Sequence, residues 1–266
     1  MALRVAVFGA GGRMGSMVCQ AVIDDPDLDL VAAVDPHHAG IDLRQVARLD
    51  TDLVVSPDAD ELARTDAEVA VDFTLMEAAR QNLRWCAGHG VHAVVGTSGF
   101  GPDDVDAARR IFTSSNCVIA PNFAIGAVLM MHFAELAAPW FHTADIVETH
   151  HDGKVDAPSG TAMATAERMA EASSDWADDP TSVTVLDSAR GAEHHGIRLH
   201  SLRVRGMVAH QEVVLGTTGQ SLTLRHDSYD RISFMPGVLL AAKEVVGRPG
   251  VTFGLDSLMG LDGPVT

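Results

Sequence analysis

Apolar and polar positions follow two different grammars along this chain. Up to Ala120, short apolar runs alternate with amphipathic stretches. Arg4–Phe8, Leu30–Val34, Val69–Phe73, Val91–Val95 and Cys117–Ala120 are rich in β-branched residues and nearly continuous in hydrophobicity. That is the pattern of strands covered on both faces. Arg13–Ile23, Met76–Ala87 and Pro102–Phe112 lie between them with helical composition. Strand–helix alternation at this spacing predicts an α/β fold, a doubly wound parallel sheet of the Rossmann type. The elements of Asp42–Arg64 are not placed by any clear period.

After Asn122 the grammar changes. A helix is predicted over Ile125–Phe141, a strand over Asp145–Thr149 and a second helix from Thr161. Ile197–Val208, Gln211–Leu215 and Ser221–His226 then read as strands with no helix between them. In the first of these, Leu199, Ser201, Arg203 and Arg205 alternate with His200, Leu202 and Val204, a period of two. The expectation is a second, α+β domain with an open, largely antiparallel or mixed sheet. Met235–Val246 returns to a helical pattern. The domains are therefore expected at 1–123 and 124–231, with 232–266 packing back on the first.

Composition narrows the classes of function. With 47% hydrophobic and 21% charged residues the chain reads as an ordinary globular protein, and its formal net charge is −17. With that charge and no basic stripe, nucleic acid and anionic membranes are excluded as partners. Val118–Phe141 is apolar, but Pro121, Asn122, His132 and Glu135 interrupt it, which argues for a buried strand end and helix rather than a membrane span. Cys19, Cys86 and Cys117 each sit in an apolar segment and read as reduced, buried thiols. Met1-Ala-Leu-Arg4 enters the first strand directly, without a charged leader. A cytoplasmic protein is expected.

Two stretches carry candidate chemistry. The first is Gly9-Ala10-Gly11-Gly12-Arg13-Met14-Gly15, directly after the first strand and opening the first helix. Glycines there permit a tight turn, close approach of backbone to a pyrophosphate and close helix–strand packing. Asp35, at the end of the second strand, can accept hydrogen bonds from a ribose diol and would repel a 2′-phosphate; His37 and His38 beside it soften that preference. NADH, NADPH or both are thus the expected cofactors. Asp72-Phe73-Thr74, Gly96-Thr97-Ser98-Gly99-Phe100 and Ala120-Pro121-Asn122-Phe123 follow later strands, where ligands of open α/β sheets bind. Gly96 and Thr97 offer backbone and hydroxyl groups to a nicotinamide ribose. Phe73 or Phe123 can pack on a nicotinamide face, or be simple core.

The second stretch is Glu148-Thr-His-His-Asp-Gly-Lys-Val-Asp-Ala-Pro-Ser-Gly-Thr-Ala162. Pro158-Ser159-Gly160-Thr161 reads as a helix entry, whose exposed N–H groups and hydroxyl bind carboxylates or phosphates. His150, His151 and Lys154 stand just upstream, able to donate protons to an anion held there. Lysine is scarce in this chain: Lys154 and Lys243 are its two examples. A lysine can shift its pKa and donate a proton, whereas an arginine cannot. His150-His151-Asp152 also invites a metal reading, but adjacent strand residues rarely converge on one ion, and no second ligand cluster accompanies them. No metal is expected.

On these motifs the chain resembles the dihydrodipicolinate reductase (4-hydroxy-tetrahydrodipicolinate reductase) family, and its actinobacterial branch in particular. The resemblance runs over nearly the whole length: the glycine loop at 9–15, Asp-Phe-Thr at 72–74, Gly-Thr-Ser-Gly-Phe at 96–100 and Ala-Pro-Asn-Phe at 120–123. It continues through 150–162, Met207–Val213 and Arg225–Arg231. It implies reduction of a cyclic imine dicarboxylate by a nicotinamide hydride in diaminopimelate and lysine biosynthesis. It implies His150 as general acid/base and Lys154 as proton donor. Substrate contacts are implied at His151, Ser159, Gly160 and Thr161, with Arg231 a further charge nearby. A homotetramer built through the second domain's sheet is implied as well. Two departures stand out: some members carry a further histidine where this chain has Gly153, preceded here by Asp152, and Ser98 replaces a frequent threonine.

Overall fold

A computed structural model describes residues 1–97 and 99–261; Ser98 and the last five residues, 262–266, lie outside the described residues. In chain order the first elements are β1 (Leu3–Phe8), α1 (Arg13–Asp24), β2 (Leu28–Val34), α2 (Leu43–Ala47), α3 (Asp60–Arg64) and β3 (Val69–Asp72). Then come α4 (Met76–His89), β4 (His92–Val95), α5 (Pro102–Ile111), β5 (Cys117–Ile119) and α6 (Ile125–Ala137). They are followed by β6 (Thr143–His150), α7 (Gly160–Ala172), β7 (Ala192–His194), β8 (Ile197–Arg203), β9 (Ala209–Thr217) and β10 (Gln220–Ser228). The last are α8 (Met235–Glu244) and β11 (Val251–Phe253).

The described residues divide into two compact units. One takes Met1–Phe123 and the chain from Phe234 to Leu261; the other takes Ala124–Ser233.

The first unit is built on a parallel sheet in the order β11-β5-β4-β3-β1-β2. Val5, Ala6, Val7 and Phe8 of β1 are all buried, as are Val69–Asp72 of β3. That is why these strands show continuous rather than alternating hydrophobicity. The order of strands reverses between β1 and β3, so the loops after these two strands flank the topological switch point. β11 extends the sheet beyond β5, an addition that its three residues do not announce in the sequence.

The second unit carries a mixed sheet, β10-β9-β6-β8-β7, in which β6 and β8 run parallel and the other pairs antiparallel. Here period-two alternation holds: Ala144, Ile146 and Glu148 of β6, Ile197 and Leu199 of β8, and Gln211, Val213 and Leu215 of β9 are buried. α6 and α7 pack together, and their Met130, Ala134, Ala162, Ala166 and Met169 join Ile146, Ile197, Leu199, Val213 and Leu215 in one core.

Three boundaries differ from the sequence reading. β8 ends at Arg203 instead of running to Val208, because Gly206 (φ +83°) turns the chain. α6 ends at Ala137, where Pro139 opens a 3-10 turn over Ala138–Trp140. β6 ends at His150, so His151 belongs to the following turn and the two histidines do not alternate across a strand. Among the described residues no helix is long and apolar enough to cross a membrane.

Candidate active site

In the first unit the glycine loop folds tightly at the end of β1. Gly9 adopts φ +72°, and Gly12 N donates to Gly9 O at 2.9 Å. A Cβ on Gly15 would sit 2.0 Å from Gly9 O, so α1 lies closer to the loop than any side chain permits. Gly12 caps α1 with no side-chain acceptor, and no acidic residue occupies the first turn. The N–H groups of Arg13, Met14 and Gly15 at this helix start thus face an electropositive cradle suited to a pyrophosphate. Arg13 is exposed beside it.

Asp35 is buried at the end of β2. Its carboxylate accepts from Gly11 N at 3.0 Å and His37 N at 2.9 Å, and His38 Nδ1 lies 3.2 Å away. The His38 ring also covers Gly11, where a Cβ would meet Nδ1 at 2.2 Å. The acid therefore fixes the loop itself. Ala10 is buried in the same loop.

The later turns are held in the same way. Phe73 lies over Gly96, where a Cβ would be 2.1 Å from its ring, and meets Phe123 with ring centroids 5.6 Å apart. Phe123 is buried, as core would be. Thr97 donates its hydroxyl to Thr74 O at 3.0 Å, which ties two turns together. Asp72 organises the same corner, accepting from Thr74 N at 2.8 Å and Asn82 Nδ2 at 2.7 Å. Ala120 is buried, whereas Pro121 is exposed and Asn122 half-buried. Ser98 lies outside the described residues.

In the second unit the end of β6 meets the start of α7. Ser159 caps α7, its hydroxyl accepting from Ala162 N at 3.2 Å. Gly160 and Thr161 form the first turn, with Gly160 exposed and no acidic side chain there. His150 is half-buried at the last position of β6, and its Nδ1 is 2.5 Å from Glu148 Oε2. Burial pushes His150 below its ordinary value; hydrogen bonding to Glu148 opposes this, while Lys154 and Arg203 add to it by repulsion. Lys154 follows in a turn, its N donating to His151 O at 3.1 Å and its Nζ pairing with Asp156 at 2.8 Å. His151 is exposed on the same turn.

Two residues to which the sequence reading gave no role stand at the centre. Glu148 is 1% exposed. It accepts from Arg203 through both guanidinium arms, at 2.9 and 3.0 Å, and from Ser159 N at 3.2 Å, besides its contact with His150. Burial alone would raise its pKa, but the bonds from Arg203, Ser201 and His150 outweigh that and hold it below the carboxylate range. Arg203 also donates to Asp156 O. A signal for both was present. Glu148 shares the inward parity of Ala144 and Ile146, and Arg203 that of Ile197 and Leu199, so a carboxylate and a guanidinium occupy core-facing positions on strands that pair.

Arg231 stands elsewhere, in a 3-10 turn (Arg231–Phe234) after β10, with β9 between β10 and β6. Asp152, the acidic departure, pairs with Arg205 at 2.8 Å, which offsets its charge.

A glycine-loop parallel sheet, and a capped, acid-free helix start that follows a histidine and a lysine, are the features of a nucleotide-dependent oxidoreductase. Comparison with known proteins narrows this. Residues 3–123 match the family model for the dihydrodipicolinate reductase N-terminus and residues 126–259 that for its C-terminus. The chain belongs to the dihydrodipicolinate reductase family. It is 46% identical to the 4-hydroxy-tetrahydrodipicolinate reductase of Cutibacterium acnes over 267 residues, covering 98% of this chain and 100% of the relative. It is 47% identical to that of Nocardia farcinica over 268 residues, with 98% and 100% covered. Among solved structures, a dipicolinate-bound dihydrodipicolinate reductase from Paenisporosarcina sp. TG-14 superposes with a TM-score of 0.85 at 38% identity, over 97% of this chain and 99% of that one. An amine dehydrogenase from Mycobacterium smegmatis shares the fold at 17% identity and a TM-score of 0.68, over 95% of each chain.

Proposed function

We propose that this chain reduces the cyclic imine dicarboxylate 4-hydroxy-tetrahydrodipicolinate to tetrahydrodipicolinate, in diaminopimelate and lysine biosynthesis, with His150 and Lys154 supplying the proton. The reading is carried by one arrangement: a capped but acid-free helix start follows the end of β6, which carries His150, and the turn that carries Lys154. Full-length kinship with 4-hydroxy-tetrahydrodipicolinate reductases supports it. The dipicolinate bound to the Paenisporosarcina protein is a planar ring dicarboxylate, the shape such a helix start would receive.

The nicotinamide dinucleotide, when bound, supplies a hydride. Gly9, Ala10, Gly11, Gly12, Arg13 and Met14 would hold its pyrophosphate, and Asp35 its adenosine ribose. Phe73, Gly96, Thr97, Ser98, Ala120, Pro121, Asn122 and Phe123 would line the nicotinamide end. Asp35 favours NADH, since its ionised carboxylate would lie against a 2′-phosphate, while His38 at 3.2 Å supplies the partial offset that leaves NADPH usable.

On the substrate side, the first-turn N–H groups at Gly160 and Thr161, the Ser159 cap and exposed His151 would hold one carboxylate. Arg231 would add charge at longer range. Hydride arriving at the conjugated ring leaves electron density that a proton must quench. Lys154 Nζ donates that proton, and Asp156 holds the ammonium in its turn. His150, kept neutral by burial, exchanges protons through its free nitrogen. Assembly as a homotetramer through the second unit's sheet, in the cytoplasm, belongs to the same reading.

The test is oxidation of NADH and of NADPH by the purified protein, with the imine generated in situ from pyruvate and aspartate semialdehyde. Imine-dependent oxidation, faster with NADH, is expected. Oxidation of neither cofactor by protein that binds both would transfer the reading to another imine or amino-acid substrate.

A further inference from the structure

Glu148 is given no substrate contact of its own above, yet it is bonded to the helix cap, to His150 and to Arg203. Its two oxygens accept from Arg203 twice, from Ser159 N and from the His150 ring, so its acceptor capacity is filled while it is 1% exposed. A carboxylate buried to this degree costs several kcal/mol of desolvation unless it is fully compensated. What it can specify follows from donor and acceptor chemistry. Ionised by the Arg203 fork, the carboxylate is an acceptor only. The atom of His150 that meets it at 2.5 Å must then be a donor. In a neutral imidazole, one donor nitrogen makes the other an acceptor.

We propose that Glu148 is the positioning residue of this site: it locks His150 as the Nδ1–H tautomer, so that Nε2 is presented as the proton-exchanging atom, and it anchors that ring to the start of α7. The assignment rests on the role given to His150 above. Three links make the unit rigid. Glu148 and His150 are two residues apart on β6 and so share one face. Arg203 lies directly opposite His150 in the parallel β6–β8 register, which aims its fork at Glu148. Ser159 N donates to the same carboxylate, so the helix cap and the histidine cannot shift independently. The charged groups facing His150 are Glu148 on its own strand, Arg203 on β8 and Lys154 in the following turn. Asp156, in that turn, is taken up by Lys154.

Glu148→Gln tests this, because an amide of the same shape can present its NH2 to the ring and convert Nδ1 to an acceptor. Long-range 1H–15N spectra of 15N-histidine protein at pH 7.5 read the tautomer directly, with the His150 signal among the 13 histidines identified by its loss in His150→Ala. The expected result is Nδ1–H in the wild type and Nε2–H in Glu148→Gln. With it should come a fall in kcat of about 10–100-fold, the size typical of lost supporting contacts, at unchanged NADH affinity. Glu148→Asp, still a carboxylate, should keep Nδ1–H and recover most of the rate. Nε2–H in the wild type, or the same tautomer in wild type and Glu148→Gln, overturns the proposal whatever happens to the rate or the melting temperature. Wild-type turnover in His150→Ala would instead remove the role of His150, a separate failure that leaves the tautomer readout to judge Glu148.

Discussion

At the scale of single residues, burial decides the protonation states that matter. Desolvation pushes His150, His92 and His226 below the ordinary histidine value, which is about 6.5. Below that pH the unfolded chain takes up protons that the native state refuses, so stability falls as the pH drops through the window beneath about 6.5. Glu148 and Asp227 act later, because their native values are held low by Arg203 and Arg225 respectively. Their contribution is present at neutral pH and is lost as the pH falls through the carboxylate range. Melting temperature should therefore decline in two stages on acidification, the first between about pH 6.5 and 5. A melting curve flat between pH 7 and 5 would show that the three histidines titrate alike in both states. Cys19, by contrast, is pushed up to about 12 by burial and stays a thiol throughout.

At the scale of elements, legibility depended on length and on how many faces a segment buries. Strands covered on both sides, such as Val5–Phe8 and Val69–Asp72, declare themselves by unbroken hydrophobicity. β7 and β11, with three residues each, offer no period to read. The parallel pairing of β6 with β8 is also invisible locally, since it is set by a crossover through α7 rather than by a turn. The site divides along the same line. His150, Lys154 and the Ser159 cap were legible because their chemistry is packed into one contiguous stretch. Arg203 was signalled only by its inward parity, and its meeting with Glu148 was not legible, because only the β6–β8 register brings the two together.

The glycine loop yields the prediction at this scale. Gly15→Ala would place a Cβ 2.0 Å from Gly9 O. Overpacking of that kind typically costs about 1–3 kcal/mol, and here it forces α1 away from the loop. NADH titration should show affinity reduced about tenfold or more, together with a lower melting temperature. Gly88→Ala on α4, with nothing within 4 Å, is the control and should melt no lower than the wild type. Equal behaviour of the two variants would mean that the loop tolerates the side chain and that its closeness to α1 has no bearing on the nucleotide.

At the scale of the whole molecule, an acidic chain has to attract an anionic substrate. A net charge of −17 repels a dicarboxylate at long range, so the local field must be reversed at short range. On the proposed reading the first-turn N–H groups and Lys154 of the second unit do this, while Arg205 is paired with Asp152 and Arg203 with Glu148. The proposed function thus separates two tasks: nucleotide groups come from the first unit, and anion and proton groups from residues 148–162 of the second.

That separation is the central claim, and Lys154→Ala tests it most directly, with kcat for imine reduction and the NADH dissociation constant measured on the same preparation. Loss of a general acid should lower kcat by about 10²–10⁴-fold, while the dissociation constant stays within about twofold of the wild type, a difference of less than 0.5 kcal/mol. Unchanged turnover, or NADH affinity lost in step with it, would contradict the division of labour between Lys154 and the glycine loop.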